Sequence, residues 1–113
     1  TKEEQVQSLK DVLDNYDENL KMQERMQAAY LGKNLTKLED LVPESLDLSS
    51  DRAAAAKLMK QLIDDRNIRM ADRMEKYLET GNAYIAIGAL HLPGNNGVLK
   101  LLENKGYKIE VLY

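Results

Sequence analysis

The run Asn82-Ala83-Tyr84-Ile85-Ala86-Ile87-Gly88-Ala89-Leu90-His91-Leu92-Pro93-Gly94 constrains the fold of this chain more than any other stretch. Residues 83–87 are apolar, short enough for a strand, and rich in β-branched and aromatic side chains, with glycine on either flank. They do not alternate polar with apolar, which predicts a strand covered on both faces, as in a parallel sheet. Gly88 ends the run and frees the backbone to turn or to approach a neighbour. His91 is the only histidine. It follows three residues after Gly88, just past the carboxyl end of the predicted strand, where ligands bind in open α/β sheets.

The sequence around this run reads mainly as helix. Thr1-x-x-Glu4 is a capping box, and Val6, Leu9, Leu13, Tyr16 and Leu20 then form one apolar stripe. Asp14-Asn15-Tyr16-Asp17 are weak helix formers and predict a break or bend. A second amphipathic stretch covers about 17–31, with Met22, Met26 and Tyr30 on one face, and Gly32-Lys33-Asn34 stops it. One or two further turns over 35–42 should end at Pro43, followed by a polar connection over 43–50. Ser50 or Asp51 caps a long helix. Its stripe of Met59, Leu62, Ile63, Met70, Met74, Tyr77 and Leu78 runs to Thr80, and Gly81 closes it. After the central run, Pro93-Gly94-Asn95-Asn96-Gly97 is a turn and 98–102 a short helix ended by Asn104-Lys105-Gly106. Residues 107–112 alternate like a half-exposed strand.

These elements predict an α/β (α+β), mostly helical fold, with an N-terminal helical bundle followed by a C-terminal strand–helix–strand unit. The organisation expected is one domain over 1–113: a helical segment 1–50, a long helix 51–81, and a βαβ unit 82–113 carrying Gly88-x-x-His91. A two-stranded parallel pair is a poor folding unit, and its edges call for partners. A homodimer or larger assembly is therefore expected.

Composition excludes several functions. The 113 residues carry a formal net charge of −3 with no basic run, so there is no electrostatic footprint for nucleic acid. No apolar stretch approaches the ~20 residues of a membrane span. Cysteine is absent, which removes thiolate catalysis and thiolate metal ligands. The chain begins with Thr1 and not Met, which suggests a boundary inside a longer protein.

One anomaly stands on the long helix. Arg66 and Asn67 fall on the apolar stripe, four residues after Leu62 and Ile63. A charge there is costly unless it is paired or reaches water. Either the helix kinks locally, or the arginine stem covers apolar surface while its head stays wet, or Arg66 meets a carboxylate or an anionic ligand.

Gly88-Ala89-Leu90-His91-Leu92-Pro93-Gly94, followed by Gly97-Val98-Leu99, Leu101-Leu102 and Gly106-Tyr107, resembles the end of the TraB/PrgY/GumN family, which is similar to the Tiki metalloproteases. Arg66-Asn67, Met70-Ala71, Leu78 and Gly81 fall at the family's spacings, and Ala28-Ala29-Tyr30-Leu31 resembles its helical segment. The resemblance covers most of 20–113. It implies a Gly-x-x-His motif at each end of the family domain, so this chain would be the C-terminal part, with half an active site. The expected partner is then the missing N-terminal half or a second copy.

The resemblance further implies a metal-dependent, peptidase-like hydrolase. His91 would be the metal ligand or a polar catalytic residue, Arg66 and Asn67 would orient the site or hold a substrate carboxylate, and Gly88 and Gly94 would shape the motif. A divalent metal (Zn, Mn or Co) is implied for the full-length protein and none for this chain alone, which offers one histidine where a site needs about three ligands. Asp64, Asp65 and Asp72 are further carboxylates, but no ligand spacing unites them with His91. The alternatives are a protein that binds a peptide without cutting it, and a helical interaction module. The family also suggests the bacterial cell envelope or a secreted location.

Overall fold

A computed structural model describes residues 1–112. The order of elements is α1 (Lys2–Asp14), α2 (Tyr16–Leu31), α3 (Leu35–Leu46), α4 (Arg52–Leu62), α5 (Asp64–Thr80), a single 3₁₀ turn (Ala89–His91) and α6 (Val98–Asn104). Two compact units form, one of Thr1–Met59 and the other from Lys60 onward.

In the first unit the local signals act where the sequence puts them. Thr1 and Glu4 form a reciprocal capping box. Helix α1 ends at Asp14 and α2 begins at Tyr16, with Asn15 as the break between them. Lys33 takes the left-handed φ of 54° that turns the chain after α2. Met22 and Ala29 of α2 are buried with Leu38 and Leu41 of α3, and these two helices make the main packed pair. Pro43 does not end α3, which runs on to Leu46. The missing N–H costs one backbone bond, and burial of Leu41 together with a bond from Ser45 Oγ to the Val42 carbonyl at 2.7 Å holds the last turn.

Asp11 is the polar centre of this unit. It is buried and accepts from Gln7 Nε2 at 2.9 Å, from the Ser50 N–H and Ser50 Oγ, both at 3.0 Å, and from Ser49 Oγ at 3.2 Å. It thereby ties α1 to the segment that leads into α4. Asp51, one of the two expected caps, accepts from the Ala54 N–H at 2.9 Å. The apolar stripe of α1 is not covered: Val6, Leu9, Leu13 and Tyr16 are all exposed.

The second unit is built on α5. Ala71 and Met74 of α5 and Val98 and Leu102 of α6 form its buried centre, with Leu78, Ile87, Leu101, Tyr107 and Ile109 packed around them. The stripe expected to make one long helix over 51–81 is divided at Ile63, whose φ and ψ of −111° and −70° separate α4 from α5. Asp64 and Asp65 occupy the first turn of α5, where the positive end of the helix dipole favours them.

The expected α/β class and strand–helix–strand unit are overturned. No strand forms among the described residues, and the chain is helical throughout its regular structure. Residues 83–87 and 108–112 run on without a helical turn or a bend. A strand, however, exists only through a neighbour's hydrogen bonds. Neither segment makes a backbone hydrogen bond among the described residues. Tyr84, Val111 and Leu112 accordingly stay exposed, while Ile87 and Ile109 still pack on the helical core.

Candidate functional site

The functional residues expected from sequence meet in the second unit, at the start of α5 and in the loop before α6. Asn67 lies one turn into α5 and is 1% exposed. A buried amide must be bonded on both sides. Its Nδ2 donates to the main-chain carbonyl of Asn96 at 2.8 Å, and its Oδ1 lies 2.7 Å from Nδ1 of His91.

These two bonds fix the proton on the ring. A carbonyl oxygen only accepts, so the amide nitrogen of Asn67 must face Asn96. The amide oxygen therefore faces the imidazole and requires Nδ1–H. Nε2 is left bare, with its lone pair pointing away from Asn67. Partial burial pushes the His91 pKa below its ordinary value of 6.5, and the positive charge of Arg66 pushes it further. The ring is thus uncharged at neutral pH, with one nitrogen free to accept a proton or to ligate a cation.

The loop is wound to present this ring. The His91 N–H donates to the Gly88 carbonyl at 3.0 Å, closing the 3₁₀ turn. Gly94 has a φ of 86°, a region that L side chains avoid, and its carbonyl accepts from the Gly97 N–H at 3.0 Å. Gly97 is buried, and a Cβ placed on it would lie 2.1 Å from the Pro93 carbonyl oxygen and 2.3 Å from that of Leu92. Only glycine permits that approach. Gly88 differs: a Cβ there would meet His91 Cδ2 at 3.6 Å, an ordinary contact.

Arg66, Asn67, His91, Gly88 and Gly94 are thereby brought together. Arg66 is exposed, its charge reaches the His91 ring, and it makes no ion pair with a carboxylate among the described residues. Asn96 and Gly97 are additional parts of the site. Asn96 Nδ2 also donates to Asp64 Oδ2 at 3.3 Å, which ties the loop to the first turn of α5. The turn signature Asn95-Asn96-Gly97 was the available sign of both residues.

No group of three or more His, Asp or Glu side chains able to hold a metal ion occurs among the described residues. His91 offers a single nitrogen donor, so the metal implied for the family does not find a complete ligand set in these residues. No helix among the described residues is long and apolar enough to cross a membrane.

A neutral, amide-oriented histidine on a Gly-x-x-His turn, beside an Arg-Asn pair at the head of a helix, defines a histidine-centred polar site. Sequence comparison matches the chain to the TraB/PrgY/gumN family over residues 1–111, and the chain belongs to that family. The match extends through α1 as well as the region around His91. No curated protein and no solved structure matches the chain.

Proposed function

We propose that this chain supplies the histidine half of a hydrolytic site acting on peptide-like substrates. The supporting observation is the fixed tautomer: Asn67, itself held by a main-chain carbonyl, keeps the proton on Nδ1 and leaves Nε2 bare. A ring held neutral in this way can take a proton from an attacking water as a general base. Arg66, exposed and without an ion pair among the described residues, would hold a substrate carboxylate or a developing negative charge. The donor set of these residues does not complete a metal centre, so His91 and Arg66 carry the steps assigned here. Any metal of the full-length protein would need further ligands from outside the described residues. A chain that brings those further ligands, or a second copy of this one, is the partner this reading requires.

The test is cleavage of a mixed peptide library followed by mass spectrometry, with wild-type protein and His91→Ala in parallel and elemental analysis of both. Cleavage that depends on His91 supports the reading. Cleavage unchanged in His91→Ala, or none from any form that contains this chain, overturns it. Binding of peptides without cleavage would favour the second reading, a protein that holds a peptide and does not cut it. A groove with mainly apolar walls between α5 and residues 83–87, lined by Met70, Met74 and Tyr77, favours that reading.

A further inference from the structure

Asn96-Gly97 is the one place in the chain where an asparagine precedes a glycine; every other asparagine precedes a residue with a side chain. Such a pair carries a reaction of its own. The backbone nitrogen of the second residue can attack the side-chain amide carbon of the asparagine, and a side chain on that second residue hinders the approach. Glycine has none. This chemistry is one reason asparagine counts as a thermolabile residue.

The fold places the pair where the reaction has most effect. Asn96 lies in a turn closed by the bond from the Gly97 N–H to the Gly94 carbonyl, and α6 begins only at Val98. Its main-chain carbonyl is the acceptor that holds Asn67 Nδ2 at 2.8 Å, and Asn67 in turn orients His91. Two bonds restrain the reaction. Asn96 Nδ2 donates to Asp64 Oδ2 at 3.3 Å, and the Gly97 N–H donates to Gly94 at 3.0 Å. The first is longer than the usual ~2.7–3.2 Å and is the weaker restraint. Attack requires the amide to turn from Asp64 and the Gly97 N–H to leave Gly94, which is the opening of a single loop.

We propose that Asn96 is a self-deamidation site, restrained by Asp64 and the Gly94 carbonyl, whose isoaspartyl product releases His91 from its fixed tautomer. The Gly97 nitrogen gives up its proton and bonds to Cγ of Asn96. The Cγ–Nδ2 bond breaks, and ammonia leaves with that proton. The imide ring so closed then adds one water. Opening at Cγ leaves aspartate on an unchanged main chain. Opening at the former main-chain carbonyl carbon leaves isoaspartate. In sum, an amide and a water become a carboxylic acid and ammonia, and nothing is oxidised or reduced.

The two products differ in consequence. Aspartate loses the donor to Asp64 but keeps the carbonyl that holds Asn67. In isoaspartate the chain runs through Cγ and is longer by one methylene, and the former carbonyl becomes a free carboxylate. The loop has no room for the added atom: even a Cβ on Gly97 would lie 2.1 Å from the Pro93 carbonyl oxygen. The turn therefore shifts its course, Asn67 loses its acceptor, and its amide no longer dictates which ring nitrogen carries the proton. The inference concerns the loop and holds whether or not the site cleaves peptides.

Wild-type protein, Asp64→Ala and Asp64→Asn are incubated folded in mildly alkaline buffer. Peptide mapping by mass spectrometry follows each asparagine and separates isoaspartate from aspartate. In wild type, Asn96 should convert faster than any other asparagine. Asp64→Ala removes the acceptor and should raise the rate at Asn96 alone, by about threefold or more. Asp64→Asn keeps an oxygen able to accept and should stay near wild type. The isoaspartyl form, isolated by chromatography, is compared by ¹⁵N NMR with Asn96→Asp. Asn96→Asp should keep the His91 proton on Nδ1, and the isoaspartyl form should lose that preference. Conversion at Asn96 no faster than elsewhere in wild type overturns the proposal. So does an Asp64→Ala rate equal to that of wild type, or a rise shared by every asparagine. An isoaspartyl form whose His91 signals match wild type overturns it as well.

Discussion

Replacing Asn67 with Asp tests the geometry of the site most directly, because it changes one atom and inverts what His91 experiences. In the native site the amide oxygen sits 2.7 Å from Nδ1, and the ring's pKa is pushed down. An aspartate there puts a carboxylate oxygen at the same position. At ~4 Å between charge centres and an effective dielectric of ~20, carboxylate and imidazolium attract by about 4 kcal/mol. One pK unit corresponds to 1.36 kcal/mol, so the gross effect is about 3 units upward. Arg66 competes for the new carboxylate, which reduces the net rise to about 1–2 units. The pKa of His91 should therefore rise in Asn67→Asp relative to wild type. The second carboxylate oxygen faces the Asn96 carbonyl where an N–H donated before, so stability should fall by about 1–3 kcal/mol.

The chain has one histidine, and its imidazole resonances therefore need no assignment. A pH titration by NMR on ¹⁵N-labelled protein, wild type and Asn67→Asp, reads both pKa values and the tautomer. A wild-type spectrum with the proton on Nε2, or an Asn67→Asp pKa at or below that of wild type, refutes the reasoning.

Gly97→Ala should cost about 2–4 kcal/mol, because its Cβ would collide with two main-chain carbonyls that no rotamer change can clear. Gly88→Ala, with a φ of −63° and room for a Cβ, should stay within about 1 kcal/mol of wild type. Thermal melts of the pair check both. The lowered pKa of His91 means that the unfolded chain takes up a proton there more readily than the folded one. This stability is fully present above about pH 6.5 and is lost as pH falls through the folded-state value, and His91→Gln should flatten that slope in denaturant titrations. Asp11, whose carboxyl is held below the usual range by the bond from Gln7 and then by the Ser50 N–H, follows the same sign in more acid solution. Its contribution is present above about pH 3.9 and lost below. Asp11→Ala should lower the melting temperature at pH 7 and reduce the difference between pH 7 and pH 3.

The helices were legible because their signals are local. Thr1 and Glu4, the break at Asn15, the cap at Asp51 and the stop near Gly32 each depend on residues within one turn. The division at Ile63 was not, since the apolar stripe continues across it and the two aspartates that start α5 also suit an exposed helix face. The strands failed for a different reason. Residues 83–87 have strand composition, but composition does not supply a neighbour with hydrogen bonds to exchange. In the site, Asn67 announced itself as a polar residue on an apolar stripe, and His91 as a lone histidine beside Gly88. Their direct bond was not visible in the sequence, because it closes across 24 residues through a loop whose path depends on Gly94 and Gly97. Asn96 escaped for a subtler reason: its contribution to Asn67 is made by its backbone and not by its side chain.

That last point bears on how the site can vary during evolution. The position of the imidazole proton is dictated by an oxygen that every amino acid possesses. Substitution at residue 96 forfeits the side-chain link to Asp64 but leaves the carbonyl in place, provided the loop keeps its course. The protonation pattern of His91 is thus inherited through the path of the main chain, guarded by two glycines, and drift at position 96 can pass without chemical consequence.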